Sequence, residues 1–212
     1  MDQSGRYDSW FTIEYCHDVT DEGRDNTINV TVTGEAVERL AARLADRRQV
    51  TMTSSCGLCG RRTIESLESR VAAVHGDWTV SADVIASLPQ RLRSSQSLFD
   101  STGGIHAAGL FDRSGTLQLS AEDVGRHNAV DKIAGRTLLA GSHPLDSSIL
   151  LVSGRTSFEL VQKALLAGVP LIAAVSAPSS LAIDLAKHTG ITLCGFLRGE
   201  RFNIYTHPQR IV

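Results

Sequence analysis

The cysteine pair in Cys56-Gly57-Leu58-Cys59 has the clearest chemical potential in the sequence. Two cysteines separated by two residues can form a disulfide, share a metal ion, or act as a nucleophile and its resolving thiol. Arg61 and Arg62 follow directly, and neighbouring cations lower the pKa of a thiol and favour the reactive thiolate. Glycines on both sides of Cys59 allow the loop to turn tightly or swing. The pattern indicates a reactive dithiol, with half of a zinc site as the alternative.

A zinc site would need two more ligands, and the sequence has no second CxxC pair and no close histidine pair. Cys16 and Cys194 are isolated, and isolated cysteines are usually small buried apolar residues. A thioredoxin-like dithiol is expected near a βαβ pattern, whereas the segment after Cys59 is polar and rich in arginine. We therefore expect no resident metal.

Residues 122–132, with the sequence EDVGRHNAVDK, crowd charged and hydrogen-bonding side chains around one glycine, just before a predicted helix. Burying so many polar groups costs stability unless a ligand or a hydrogen-bond network satisfies them. Two interpretations stay open. The segment is either a solvated helix start with Asn128 as its N-cap, or one side of a ligand pocket.

Two turns join predicted strands to predicted helices, Ser153-Gly154-Arg155 and residues 176–180. The N-terminus of a helix presents free N–H groups and a positive dipole end, which suits a phosphate. Ligands of open α/β sheets bind beyond the carboxyl ends of the strands. Residues 196–201 also lie at the carboxyl end of a predicted strand, and their two arginines can bind phosphates or stack on a base. The alternative is that the serines are ordinary helix caps and the arginines ordinary surface residues.

His106 resembles the first zinc ligand of nucleoside deaminases. Those enzymes need a glutamate two residues later and a Pro-Cys-x-x-Cys motif downstream. Here Ala108 occupies the position of the glutamate, Ser55 stands in place of the proline, and the cysteines come earlier in the chain. We expect a related scaffold without deaminase chemistry.

The elements that position these residues alternate between strands and helices in the last third of the chain. Residues 149–152, 170–175 and 191–196 are apolar strands, and helices are predicted over 157–167 and 180–188 between them. Such a pattern indicates a parallel sheet covered on both faces. Further elements are predicted as strands within 10–33 and at 117–119, and as helices over 35–45, 81–93 and 130–138.

The chain has 212 residues and a net charge of −2. No overall positive field attracts nucleic acid or an anionic membrane, so local cations must hold any anionic ligand. No stretch approaches the roughly 18 apolar residues of a membrane span, and residues 1–6 lack the apolar core of a signal peptide. We expect a cytoplasmic protein with neither a nucleic acid nor a membrane as partner.

Five stretches of the sequence, taken together and in this order, resemble the FdhD family of formate dehydrogenase accessory sulfurtransferases. They are residues 55–60, 102–108, 122–132, 153–159 and 176–182. The resemblance runs from about Cys56 to the C-terminus. It implies a three-layer α/β/α core similar to cytidine deaminases, a short β-rich N-terminal part and a homodimer. We expect residues 1–48 to form the N-terminal segment with its helix, and residues 49–212 to form the core.

The resemblance also implies a function. Such a protein takes sulfur from a cysteine desulfurase as a persulfide and passes it to a bound substrate, the molybdenum bis(molybdopterin guanine dinucleotide) cofactor of formate dehydrogenase. By the same resemblance, Cys56 carries the persulfide and Cys59 is its partner, while residues 196–201 hold the guanine dinucleotide. The residues expected to bind the cofactor are His106, Arg126, Ser153, Gly154, Arg155, Ser176, Phe196, Leu197, Arg198, Gly199, Glu200 and Arg201.

Two other functions remain as alternatives. A cofactor-binding chaperone without sulfur chemistry would need the pocket but not the thiols. A zinc-dependent hydrolase would hold a stoichiometric zinc ion.

Overall fold

The computed structural model describes residues 11–15, 27–47, 73–74 and 77–212. The chain divides into two compact units, residues 1–61 and residues 62–212. The domain boundary expected between residues 48 and 49 falls outside the described residues and stays a prediction. None of the described helices has the length and hydropathy of a membrane span.

The first unit contains a two-stranded sheet and a helix. Strand β1 (Phe11–Tyr15) pairs antiparallel with β2 (Ile28–Val32), and Ile13 lies opposite Val30. Helix α1 (Glu35–Arg47) follows β2. The strands expected within residues 10–33 and the helix expected over 35–45 are therefore present, and the helix extends two residues further.

The second unit is built on a six-stranded mixed sheet with the strand order β4-β3-β5-β6-β7-β8. Its strands are β3 (His106–Phe111), β4 (Leu117–Asp123), β5 (Ile149–Val152), β6 (Leu171–Ala174), β7 (Thr192–Arg198) and β8 (Arg201–Thr206). Strands β5, β6 and β7 are parallel, as expected. Strand β3 is antiparallel to β4 and β5, and β8 is antiparallel to β7, so the expectation of a parallel sheet is right only for the three middle strands.

Helices cover both faces of this sheet. They are α2 (Ala82–Arg93), α3 (Ser97–Thr102), α4 (Arg126–Leu139), α5 (Phe158–Ala167) and α6 (Ser180–Thr189), with a 3₁₀ turn at Pro208–Arg210. Helices α4, α5 and α6 connect successive parallel strands in one direction across the sheet, and right-handed crossovers then place all three on one face. The second unit is the expected three-layer α/β/α arrangement, with α2 on the opposite face.

The alternation of side chains along each central strand divides the core in two. Leu150 of β5 packs in the cluster that contains Leu160 of α5, whereas the next residue, Leu151, packs with Ile85 of α2. Because both faces are covered, every residue of β5 and β6 is buried. This explains why their sequences are apolar throughout rather than alternating.

Helix α4 begins earlier than the sequence indicated. Its N-cap is Gly125, so of the two interpretations left open for this segment, the one with Asn128 as N-cap is wrong in its choice of capping residue. Asn128 lies in the first turn, and its Nδ2 donates to Oδ1 of Asp123 at 3.0 Å. That carboxylate also accepts the N–H of Gly125 at 2.8 Å and thereby fixes the turn that leads into the helix.

Candidate functional site

The strand directions bring the sequence motifs of the second unit to one edge of the sheet. Parallel strands end together, so the carboxyl ends of β5, β6 and β7 share this edge. Strand β3 runs antiparallel to β5 and therefore begins there, at His106, which lies opposite Asp123 at the end of β4. The edge, which we call the site edge, is formed by His106, Asp123, Arg126 and residues 153–157, 176–179 and 196–201.

Gly154 lies between the side chains of His106 and Arg126. A β-carbon at residue 154 would be 3.3 Å from Nδ1 and Cε1 of His106 and 3.6 Å from Cδ of Arg126. The distance to His106 is shorter than ordinary van der Waals contact, so a larger residue would displace the imidazole. Three of the residues expected to bind the cofactor therefore meet here, and the close approach depends on glycine.

Ser153 takes part in the sheet itself. Its N–H donates to the carbonyl of Ala107 at 2.9 Å, and its Oγ accepts the N–H of Ala107 at 2.9 Å. These bonds extend the pairing of β3 and β5 beyond Val152. Arg155, two residues later, is exposed.

Backbone hydrogen bonds fix the turns of the site edge against one another. The N–H of Thr156 donates to the carbonyl of Ala177 at 3.1 Å, and the N–H of Ser179 donates to the carbonyl of Thr156 at 2.9 Å. The N–H of Phe196 donates to the carbonyl of Ser176 at 3.2 Å. The two strand-to-helix turns and the end of β7 therefore form one rigid frame.

Residues 196–201 lie at the carboxyl end of a strand, as expected, and form the end of β7, a two-residue turn and the start of β8. Phe196 has a φ of 56°, at an irregularity in the pairing of β7 with β8, and a positive φ in a bulky residue is uncommon and often marks a functional site. The residue is 37% exposed, and the guanidinium of Arg198 lies 6.0 Å from the centroid of its ring. An exposed ring next to a guanidinium is suited to stack on a base.

The other members of this segment differ in what they offer a ligand. Leu197 is buried, with 2% of its side chain exposed. Gly199 has a φ of 57° and with Glu200 forms the turn between Arg198 and Arg201, a position that favours glycine in tight hairpins. Glu200 and Arg201 are exposed. The segment therefore presents cations and one aromatic ring at the surface.

Several polar residues of the segment 122–132 bind within the protein. The carboxylate of Glu122 accepts the N–H groups of Leu98 and Phe99, both at 2.9 Å, at the start of α3. Nζ of Lys132 lies 2.7 Å from Oδ2 of Asp123. Hydrogen bonds from Lys132 first, then from Gly125 and Asn128, lower the pKa of Asp123 to about 2. A hydrogen-bond network satisfies these groups, so the cost of burying them is met without a ligand.

His127 connects α4 to α5 through a carboxylate. Its Nδ1 lies 3.1 Å from Oε2 of Glu159, and the other oxygen of Glu159 lies 3.5 Å from Nζ of Lys163. Lys163 also lies 2.7 Å from Asp131 of α4. Burial lowers the pKa of His127, although Glu159 acts in the opposite direction. Sequence reasoning missed this pairing because Glu159 is distant in the chain, at a position that looks like an ordinary first helical turn.

The cysteines divide into two groups. Cys56 and Cys59, with Arg61, Arg62 and Cys16, lie outside the described residues. Cys194 is buried in the sheet, and burial raises the pKa of its thiol to about 12. The prediction that an isolated cysteine is a buried apolar residue is confirmed for Cys194. In the part of the chain that the structure describes, no three or more His, Cys, Asp or Glu side chains are grouped to hold a metal ion.

Comparisons with known proteins agree on one family. The model of the FdhD/NarQ family matches residues 10–212. The sulfur carrier protein FdhD of Streptomyces avermitilis is 48% identical over 215 residues, which cover 98% of this chain and 74% of the relative. The protein of the same name from Thermoplasma acidophilum is 52% identical over 161 residues, covering 76% and 57%. A crystal structure of a proposed formate dehydrogenase accessory protein from Desulfotalea psychrophila superposes with a TM-score of 0.63 at 28% identity, over 95% of this chain and 89% of that one.

Proposed function

The chain belongs to the FdhD/NarQ family, and from this membership we propose that it is a sulfurtransferase, a sulfur carrier protein that serves formate dehydrogenase. The observation that supports the proposal most is the site edge, where strand topology gathers residues from five separate segments of the chain. These segments include all the residues expected to bind the cofactor.

The sulfur chemistry is assigned to Cys56 and Cys59. The thiolate of Cys56 attacks the terminal sulfur of a persulfide on a cysteine desulfurase. The sulfur–sulfur bond of the donor breaks, the donor leaves as a thiolate, and Cys56 carries the terminal sulfur as a new persulfide. Attack of the Cys59 thiolate on the inner sulfur of that persulfide then releases hydrosulfide and leaves a Cys56–Cys59 disulfide, which a cellular thiol reductant returns to two thiols. This cycle requires a reducing compartment such as the cytoplasm.

The substrate that receives the sulfur is the molybdenum bis(molybdopterin guanine dinucleotide) cofactor before it enters formate dehydrogenase. The exposed ring of Phe196 stacks on a guanine base, and Arg198, Arg201 and Arg155 bind phosphates. The support for this assignment is that the Phe196 backbone is held in a left-handed conformation next to a guanidinium. The protein acts as a homodimer in this proposal.

Mass spectrometry tests the carrier chemistry directly. The purified chain is incubated with a cysteine desulfurase and cysteine, and each cysteine peptide is examined for one added sulfur atom. We expect the adduct on Cys56 in the wild type, no adduct on that peptide in Cys56→Ala, and an undiminished adduct in the matched control Cys194→Ala. If neither Cys56 nor Cys59 gains sulfur, the carrier mechanism is wrong.

A second measurement separates the carrier from a chaperone without sulfur chemistry. Activation of formate dehydrogenase is compared between the wild type and Cys56→Ala in cells that lack the native protein. A carrier loses activation with Cys56, whereas a chaperone retains it. Binding of GDP to the purified variant should stay unchanged in either case, because the base and phosphate contacts do not involve the thiol.

A further inference from the structure

Three residues at or near the N-terminus of α5 have buried groups that can donate hydrogen bonds but have no partner among the described residues. We propose that Arg126, Thr156 and Ser157 form, at this helix end, a subsite for an oxyanion of the phosphate class. The identity of its natural ligand, a phosphate group of the bound guanine dinucleotide, rests on the proposed function. The existence of the subsite does not.

The first observation is a serine that occupies the N-cap position without capping. Ser157 has φ −94° and ψ 167°, the extended conformation of an N-cap. Its Oγ is buried, makes no cap hydrogen bond and has no partner among the described residues. The first N–H groups of a helix lack partners within the helix. The Ser157 hydroxyl and these N–H groups are therefore available at the same helix end.

The second observation is Thr156, which directly precedes Ser157. The residue is only 1% exposed, and its Oγ1 has no hydrogen-bond partner in the described part of the protein. The backbone N–H and carbonyl of Thr156 are both bound to the neighbouring turn, which holds the residue in place. A buried hydroxyl without a partner costs stability, and a bound acceptor removes that cost.

The third observation is the guanidinium of Arg126. Its Nε is buried and has no partner among the described residues, and its Cδ lies 3.6 Å from the position of a β-carbon at Gly154. A guanidinium can only donate hydrogen bonds. The two hydroxyls can also donate, so a ligand with several acceptor oxygens is the kind of partner that all three groups lack.

The charges at this place favour an anion over a neutral acceptor. Arg126 contributes a positive charge, and α5 contributes the positive end of its dipole. The one acid in the first turn of α5, Glu159, has its charge paired with the ammonium of Lys163 at 3.5 Å, and its other oxygen lies 3.1 Å from Nδ1 of His127. Arginine and helix N-termini together are typical of phosphate sites.

Thermal unfolding of the full chain with inorganic phosphate tests the subsite. We expect phosphate to raise the Tm of the wild type. Thr156→Val removes an unsatisfied hydroxyl, so it should raise the Tm without phosphate and weaken phosphate binding by about tenfold. Ser157→Ala should not lower the Tm without phosphate and should weaken phosphate binding to a similar extent. Two control variants, Ser81→Ala at the N-cap of α2 and Arg136→Gln on the exposed face of α4, should bind phosphate as the wild type does.

The source of the oxyanion is tested with GDP and guanosine. If the subsite holds a phosphate of the nucleotide, Thr156→Val weakens binding of GDP and leaves binding of guanosine unchanged. If GDP binding is unaffected while inorganic phosphate binding falls, the subsite takes a free oxyanion and the assignment to the dinucleotide is wrong.

The subsite itself is refuted if Thr156→Val lowers the Tm and the shift caused by phosphate persists, because the hydroxyl then has a partner inside the protein. It is also refuted if phosphate does not shift the Tm of the wild type. Neither outcome affects the sulfur carrier function, which the persulfide experiment tests through Cys56. Conversely, if the protein binds phosphate but never gains sulfur, the subsite is supported and the carrier function is refuted.

Discussion

Two serines in the same structural position should differ in their contribution to stability. Ser179 and Ser157 are the N-caps of α6 and α5, and both helices have ten residues. The Oγ of Ser179 accepts the N–H of Ala182 at 3.2 Å, whereas the Oγ of Ser157 makes no cap bond. Substitution by alanine removes a hydrogen bond in the first case and an unsatisfied hydroxyl in the second.

The expected magnitudes follow from this difference. Loss of an N-cap hydrogen bond costs about 1 kcal/mol, within a range of roughly 0.5–2 kcal/mol, so we expect this destabilisation for Ser179→Ala. For a chain of this size, 1 kcal/mol corresponds to a decrease in Tm of roughly 2–4 °C. Ser157→Ala should not lower the free energy of unfolding, because the hydroxyl that it removes has no partner among the described residues.

Urea unfolding followed by circular dichroism measures both variants against the wild type. The slope of the free energy with urea should be the same in all three proteins, so that the difference in midpoint reports stability alone. If Ser157→Ala is destabilised as much as Ser179→Ala, the Ser157 hydroxyl caps α5 in solution, and both the asymmetry and the proposed oxyanion subsite are refuted.

Three further predictions concern single residues. Cys194 should resist alkylation in the native protein at about pH 8 and react only after denaturation, because burial raises the pKa of its thiol to about 12. Peptide mass spectrometry measures the labelling, and a Cys194 peptide labelled before denaturation would contradict this prediction. Burial lowers the pKa of His127, so the unfolded state binds more protons. The stability contributed by this residue should therefore fall as pH decreases through the usual histidine pKa of about 6.5. Urea midpoints between about pH 7.5 and pH 5.5 should depend less on pH in His127→Gln than in the wild type. If the midpoints of both proteins depend equally on pH, His127 is not the source of the pH dependence. Gly195→Ala would place a β-carbon 3.0 Å from Cδ of Pro178 and should destabilise the protein by about 1–3 kcal/mol. The matched substitution Gly135→Ala lies in the interior of α4, with nothing within 4 Å of the added β-carbon. It should stabilise the protein by roughly 0.5–1 kcal/mol. If both substitutions destabilise the protein, the space around each β-carbon does not determine the effect.

The sequence by itself determines the central part of the fold, because the signals are local. Strands β5 and β6 are apolar at every residue, which only a sheet covered on both faces explains. Helix α6 has a serine cap, and α5 and α6 both end at glycines, Gly168 and Gly190, with left-handed φ values of 79°. The sequence also predicts a reactive dithiol at Cys56 and Cys59, which lie outside the described residues.

Strand direction at the borders of the sheet is decided by tertiary structure. Strand β8 (Arg201–Thr206) mixes exposed and buried residues, and β4 extends to Asp123, beyond the short apolar run at 117–119. Whether a border strand pairs parallel or antiparallel depends on the neighbour that it meets, and its own residues do not encode that choice. For this reason the mixed character of the sheet was not predictable.

Tertiary structure also decides which polar residues are satisfied inside the protein and which remain free. Glu122 and Asp123 look like pocket residues in the sequence, but backbone N–H groups of α3 and of the turn before α4 occupy their oxygens. Ser157 and Ser179 have the same residue type before helices of the same length, yet only one of them caps its helix. A hydrogen bond depends on distances and angles set by the packing of distant segments, and spacing along the chain does not contain that information.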